Sequence, residues 1–398
     1  MRRTPSMGRL LRYGLLGVAV LASSACGSST SGSRRVASTI GEQVDVTNAV
    51  TDLTVEPVLE PAPQVVASTN APRSTGSPTT PPPASATSVS APTNAPLTGL
   101  PVDADLRRRP ALIVKIDGHE GARPQYGLEQ ADIVIEEIVE GITRFMAVFH
   151  SVVPEVVGPV RSARTQDMLI APMFDHPLFA WSGGNRKVTA LVKKSPVVNL
   201  SATSGWRNKG VWSRTKKRKA PHNLLATGPL LLALAPPDSV APPSIFGYRS
   251  PDGDPGGRVV SGVKLVMSAT RVLWTWNSKT ASWLRTSDRK PHLAEGDLPV
   301  SPANVVVLEV RYRPSEADPN SPEAQTIGTG RALVFTDGRL VVGTWSRDSD
   351  TEPWTLTDSN GREILLTPGR TWVELARASR LAIVDVGVDP ASVPWKIK

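Results

Sequence analysis

Cysteine is almost absent from this chain: one residue, Cys26, in 398. An intrachain disulfide and a thiolate metal cluster are excluded, and beyond residue 26 there is no thiol for a cysteine transpeptidase. Histidine is scarce as well. His119, His150, His176, His222 and His292 show no zinc-ligand spacing, so no metal and no cofactor is expected. No HExxH, Walker A loop, GxGxxG or GxSxG elbow occurs. The one SxxK match, Ser213 to Lys216, lies in a basic loop with no KTG after it. Long apolar runs are missing too. The longest, LLGVAVLA near the N-terminus, is too short to span a bilayer.

That run has a function of its own. MRRTPSMGRLLRYG is basic, LLGVAVLA follows, and Ser23, Ser24 and Ala25 precede Cys26. A basic region, a short apolar region and small residues before a cleavage point describe a secretory signal over 1–25. With cysteine next, the pattern resembles a bacterial lipobox, and Cys26 is the expected lipidation site, carrying palmitate-type acyl chains. Two chains suffice for stable membrane anchoring outside the cytoplasm. Residues 26–96 then read as a tether. Its first part alternates weakly over 40–66, and 67–96 is rich in Pro, Ser, Thr and Ala, with little to bury. Extended, such a tract spans up to about 200 Å.

Net charge is +9. Residues 1–25 hold four arginines and no acid, and 27–96 hold three arginines against five acids, which leaves near +7 for 97–398. That bias suits an anionic surface and is weak for a nucleic-acid binder. Strand-like runs (ALIVKID, DIVIEEIVEG, ITRFMAVFHS, PLFAWSGG) alternate with helix-like ones (TQDMLIAPMF, NRKVTALVKKS, LLATGPLLLALA) over 97–239. This is an α/β pattern with a mixed sheet. From 240 to 398 short alternating strands take over, with hairpin signals at Asp337-Gly338 and Asn360-Gly361 and seven of the ten tryptophans past residue 270. A β-rich second domain is expected there.

Chemistry concentrates in 121–185 and one loop beyond it. Gly158-Pro159-Val160-Arg161-Ser162-Ala163-Arg164 is expected to break a strand and start a helix capped by Ser162. Arg161 and Arg164 would then share one side of a turn beside free N–H groups and cradle an anion, or else pair with Glu136, Glu137 and Glu140. Alternation puts Glu137 on the apolar side of its strand. It is a candidate catalytic acid, or the buried partner of Arg144 or Arg161. In RKAPHN, Arg218 to Asn223, His222 is a candidate base or donor within a basic loop, and Asn223 a cap for an apolar helix. His176 and Asn185 flank the strand ending Trp181-Ser182-Gly183-Gly184, where ligands bind in α/β layers.

Laid out together, PLTGLPVD, the run from Arg123 through Gln125 to Glu136, VEGITRF, GPVRSAR, RKAPHN, GTWSR and TPGRTWVEL resemble the YerB-like lipoproteins, the bacterial family built on domain of unknown function 3048. The likeness covers 97–375. It implies a surface lipoprotein of two domains and brings no established reaction; some members are thought to work with wall synthesis. Where that pattern leads one to expect Asp-Asn, this chain has Asp117-Gly118. The leading expectation is an envelope lipoprotein whose arginine-bearing face binds peptidoglycan, an anionic wall polymer or a wall-synthesis protein. Two others stand beside it. One is a wall hydrolase or transferase in which Glu137, Arg161, Arg164, His222 and Asn223 converge. The other is an exported solute-binding protein with a deep interdomain cleft.

Overall fold

The run LIVKID carries apolar residues on both faces of a strand, and so do IVIEEI and TRFMAVF. Strands of that kind belong at the centre of a sheet covered on both sides. In the computed structural model they form the centre of an eleven-stranded sheet. The structure describes residues 94–203 and 210–396. The signal, Cys26, the weak strand over 40–66 and all but the last residues of the tether lie outside the described residues. Among those described, no helix is long and apolar enough to cross a membrane.

The main strands in chain order are β1 (Leu112–Asp117), β2 (Ile133–Ile138), β3 (Thr143–Phe149), β4 (Leu178–Trp181), β5 (Val198–Ser201), β6 (Asn304–Glu309), β7 (Gly328–Thr336), β8 (Arg339–Arg347), β9 (Thr355–Asp358) and β10 (Thr371–Ala376). Their spatial order is β9-β8-β7-β6-β10-β2-β3-β1-β4-β5, and Arg258–Val259 adds a short strand to β8. β1–β4, β4–β5, β2–β10 and β6–β10 are parallel; β1–β3, β2–β3, β6–β7, β7–β8 and β8–β9 are antiparallel. Strands before and after residue 240 therefore join in one ladder, through Ile133 opposite Thr371 and Asn304 opposite Thr371. The expected mixed sheet and β-rich second half are both present.

Each face of the sheet is covered. On one side Val114, Ile116, Val134, Phe145 and Trp372 pack with Val263, Leu265, Trp274 and Trp283. The last four belong to an antiparallel five-stranded sheet of Gly262–Met267, Thr270–Asn277, Ser282–Ser287, Lys290–Pro291 and Leu381–Val384. On the other side Ile113, Ile135, Met146, Phe179 and Val306 pack with Val188 and Val192 of the helix Arg186–Lys194. Asn185 caps that helix by accepting from Val188 N at 3.0 Å. Near-complete burial of so many aliphatic and aromatic side chains, each contributing about 1.5–3 kcal/mol, makes this double core the main stabilising feature.

Two helix expectations fail in the same way. LLATGPLLLALA is helical only over Gly228–Leu232; Leu224–Thr227 is a strand, paired with Val156–Val157 and Trp212–Arg214. TQDMLIAPMF gives one α-turn, Asp167–Ile170, then a 3-10 turn, Ala171–Phe174. Pro229 and Pro172 lack the N–H that a preceding turn would need, so neither run extends as one helix.

The sheet has two distinct ends. Every parallel strand begins at one end, where Asp132, Ala303 and Arg370 sit just ahead of β2, β6 and β10. The chain enters there: Leu97 and Thr98 are buried, Gly369 N donates to Thr98 O at 2.7 Å, and Tyr248 Oη donates to Leu97 O. The carboxyl ends of β1, β2 and β4, with the start of β3, form the opposite end.

Candidate functional site

β1 ends in Asp117, fully buried and facing the loops at the carboxyl end of the sheet. Its Oδ2 accepts from His222 Nδ1 at 2.7 Å and lies 3.1 Å from Arg161 Nε, and its Oδ1 accepts from His119 N at 3.0 Å. The His222 ring stacks on His119, with centroids 4.4 Å apart and planes within 16°. Chain closure above Asp117 is tight. A Cβ at Gly118 would stand 2.3 Å from Thr143 O, so the asparagine expected there has no room.

His222 lines a surface cavity of about 580 Å³ with Gly121, Arg123, Pro124, Lys217, Arg218, Lys219 and Glu295. Arg218 donates to Pro124 O and its side chain is only 8% exposed; Lys217 pairs with Glu295 at 2.7 Å and is 69% exposed. Arg123 donates to Ser287 Oγ at 2.7 Å. Four cations thus face one acid. A larger cavity, about 840 Å³, lies at the opposite end of the sheet among Leu100, Val102, Asp132, Val152 and Arg370. Size and converging polar chemistry point to different places, and chemistry is the better guide to an ionic ligand.

The arginine pair behaves differently from a cradle. Residues 161–164 lie outside any helix, which begins only at Asp167, so Arg161 and Arg164 share no helical turn, and Ser162 does not cap it. Arg164 makes a bidentate pair with Glu140, both bonds 2.6 Å, and Arg161 goes to Asp117. Arg144 is buried and donates to Ser162 O at 3.1 Å; burial first, then Arg164 and Arg161, bring it down to about 10. Burial opposes the ionised form of Glu140, yet the Arg164 bonds, Ser321 and the Arg164 charge together outweigh it and hold that carboxyl at about 2. Of the two partner sets expected for these arginines, one member, Glu140, is used, and the other partner is Asp117.

Glu137 is sealed. It is fully buried on the Ile133–Ile135 face as the alternation indicates, but its partner is Lys115, at 2.8 Å, rather than Arg144 or Arg161. Lys115 also meets Asp167 at 2.7 Å, and Gln166 Nε2 donates to Glu137 at 2.9 Å. Two carboxyls around one ammonium cannot both ionise cheaply in a buried place. Burial and Asp167 together push Glu137 up to about 8 despite Lys115. With no access to solvent, it is no acid for an external substrate.

The remaining candidates scatter. His176 pairs with Asp175 at the amino end of β4, the end opposite Asn185, and is 68% exposed. Asn185, besides capping its helix, donates to Ala317 O. Asn223 precedes a strand, not a helix, and accepts from Arg214 Nη1 at 2.6 Å. Gln125 is buried between His292 Nε2 and Asp117 O. It belongs to a chain that continues through His292 and Arg285 to Glu136, whose two oxygens both accept from Arg285 Nη2 at 2.8 and 2.7 Å and tie the five-stranded sheet to the main one. Of the five residues required for a convergent Glu/Arg/His centre, Glu137 is sealed, Arg164 turns to Glu140 and Asn223 to Arg214, and only Arg161 and His222 meet, at Asp117.

Sequence reasoning gave no site role to Lys115, Asp117, His119, Asp167 or Arg285. The one local signal was a lysine and an aspartate inside the otherwise apolar LIVKID, where buried charges require partners.

These features define an α/β protein whose polar site lies at the carboxyl ends of parallel strands. Its two segments match the models "Protein of unknown function (DUF3048) N-terminal domain" over 97–240 and the corresponding C-terminal domain over 263–373. The chain belongs to the DUF3048 family. It is 28% identical over 307 residues to "Putative lipoprotein YerB" of Bacillus subtilis (strain 168), covering 74% of this chain and 89% of that protein. The crystal structure of the YerB protein from Bacillus subtilis shares the fold, with a TM-score of 0.65 and 24% identity over 74% of this chain and 100% of the solved one.

Proposed function

We propose that this chain is a lipoprotein anchored through Cys26 outside the cytoplasm, whose head binds an anionic cell-wall polymer in the cavity lined by Arg123, Lys217, Arg218, Lys219 and His222. The observation carrying this reading is that four cations and an imidazole line one open cavity against a single acid, Glu295. The relative's name and the Ser23-Ser24-Ala25-Cys26 sequence support the lipoprotein assignment, and the +7 bias of 97–398 favours an anionic partner. The exposed Lys217 and Lys219 steer such a polymer, while Arg218, held against Pro124, gives it a fixed donor.

Titration of the full chain with glycerol-phosphate polymer at low salt tests the reading. Lys217→Ala with Lys219→Ala should weaken binding, by roughly tenfold at low salt, since exposed rim charges act mainly through screened attraction. Added salt should weaken it further. Binding that ignores both the lysines and the salt would rule the cavity out.

A further inference from the structure

The Asp117–His222 contact fixes which ring nitrogen of His222 is free. A carboxylate oxygen accepts and does not donate, so the 2.7 Å contact places a proton on Nδ1. The ring's one hydrogen bond among the described residues is through Nδ1, and the side chain, 22% exposed, lines the cavity, leaving Nε2 open to it. In the neutral ring Nε2 then holds a lone pair, which repels the oxygen of an anion. Only the imidazolium has an N–H on both nitrogens, one for Asp117 and one for an oxyanion.

The groups around this ring come from several elements. Its own loop brings Lys217, Arg218 and Lys219; the segment after β1 brings His119, stacked on it, and Arg123; Asp117 and Arg161 lie on its Nδ1 side; Glu295 closes the cavity. With the cavity empty, the four nearby cations oppose a further positive charge, and Asp117 favours it. An arriving anion offsets the cations and supplies an acceptor for Nε2–H, so occupancy and protonation are linked.

We infer that the cavity takes a phosphate-type oxyanion together with one proton held on His222. This rests on the reading that the cavity binds an anionic wall polymer. A phosphodiester does not itself titrate across the neutral range, so a proton taken up with it belongs to the protein.

Titration calorimetry of the full chain with glycerol-phosphate polymer, at constant ionic strength and in buffers of different ionisation enthalpy, tests this. The expected result is uptake of up to one proton on binding, with affinity falling as pH rises by at most about tenfold per pH unit. His222→Gln, whose amide donates at any pH, should bind with a flat pH profile. His222→Ala should bind weakly at low pH and match wild type at high pH, and Asp117→Asn should lose affinity while circular dichroism shows whether the fold is kept. A wild-type affinity independent of pH, or an unchanged profile in His222→Ala, would overturn the inference while leaving polymer binding standing. Tighter proton-linked binding of soluble peptidoglycan fragments would replace phosphate by carboxylate. No binding at any pH would remove the cavity reading and this inference together.

Discussion

Lys115 shows how one side chain sets the chemistry of its surroundings. An ammonium in the middle of β1 costs several kcal/mol to bury, and only Glu137 and Asp167 at 2.8 and 2.7 Å offset that. Replacing it, Lys115→Met, leaves two carboxyls without their cation and should cost about 3–5 kcal/mol in urea unfolding. Glu137 behaves the other way. Its folded value, about 8, stands above its ordinary one. Its contribution is therefore fully present below the ordinary carboxyl range and is lost as pH rises through about 8. Stability should decline over that window by at most about 1.4 kcal/mol per pH unit, and Glu137→Gln should flatten the decline at little cost near neutrality. A Glu137→Gln chain with the same slope as wild type would show that the proton resides elsewhere. From the residues alone, Glu137 was legible as buried and in need of a partner. Lys115 was not legible as that partner, because the two lie on different strands that meet only through β3.

Among the elements, the hairpin between β7 and β8 was the most legible. Asp337 and Gly338 both have positive φ, 48° and 69°, and Thr336 pairs with Arg339 across them. A two-residue turn of this hand matches the twist of its strands, and the Asp-Gly dipeptide announces it. The tip also packs: a Cβ at Gly338 would stand 2.7 Å from Trp276 Nε1 in the five-stranded sheet. Gly338→Val should therefore destabilise the fold through both strain and collision, by about 1–3 kcal/mol, whereas Gly361→Val, at positive φ but in open space, should cost less; thermal unfolding compares the two. Equal losses would mean that contact with Trp276 is unimportant. Less legible was Leu224–Thr227, whose leucines fit a helix as well as a strand. Pairing with Val156–Val157 and Trp212–Arg214 decided it, and no local propensity carries that information.

For the molecule as a whole, the segments before and after residue 240 were legible as α/β and β-rich. Their union in one sheet was not. β10 lies between β2 and β6, so Ile133 pairs with a residue more than two hundred positions later, and nothing near either one signals it. The same sharing predicts that residues 97–240 expressed alone have no cooperative thermal transition, while the full chain has one. An independent, cooperative transition in the fragment would show that β2 does not need β10. Contacts so distant in sequence also make for slow folding. The Asp117–His222 centre was illegible for a related reason: its members come from a strand end and a loop more than a hundred residues apart, and only the fold brings them together.

The chain enters the folded head at one end of the sheet, and the basic cavity opens at the other. Six residues of strand separate these ends, about 20 Å. The head therefore holds its point of chain entry and its cavity at opposite poles of one sheet. A pull between the point of chain entry and whatever the cavity grips would run along the strands, loading the ladder in shear, where its hydrogen bonds give way together and not one at a time.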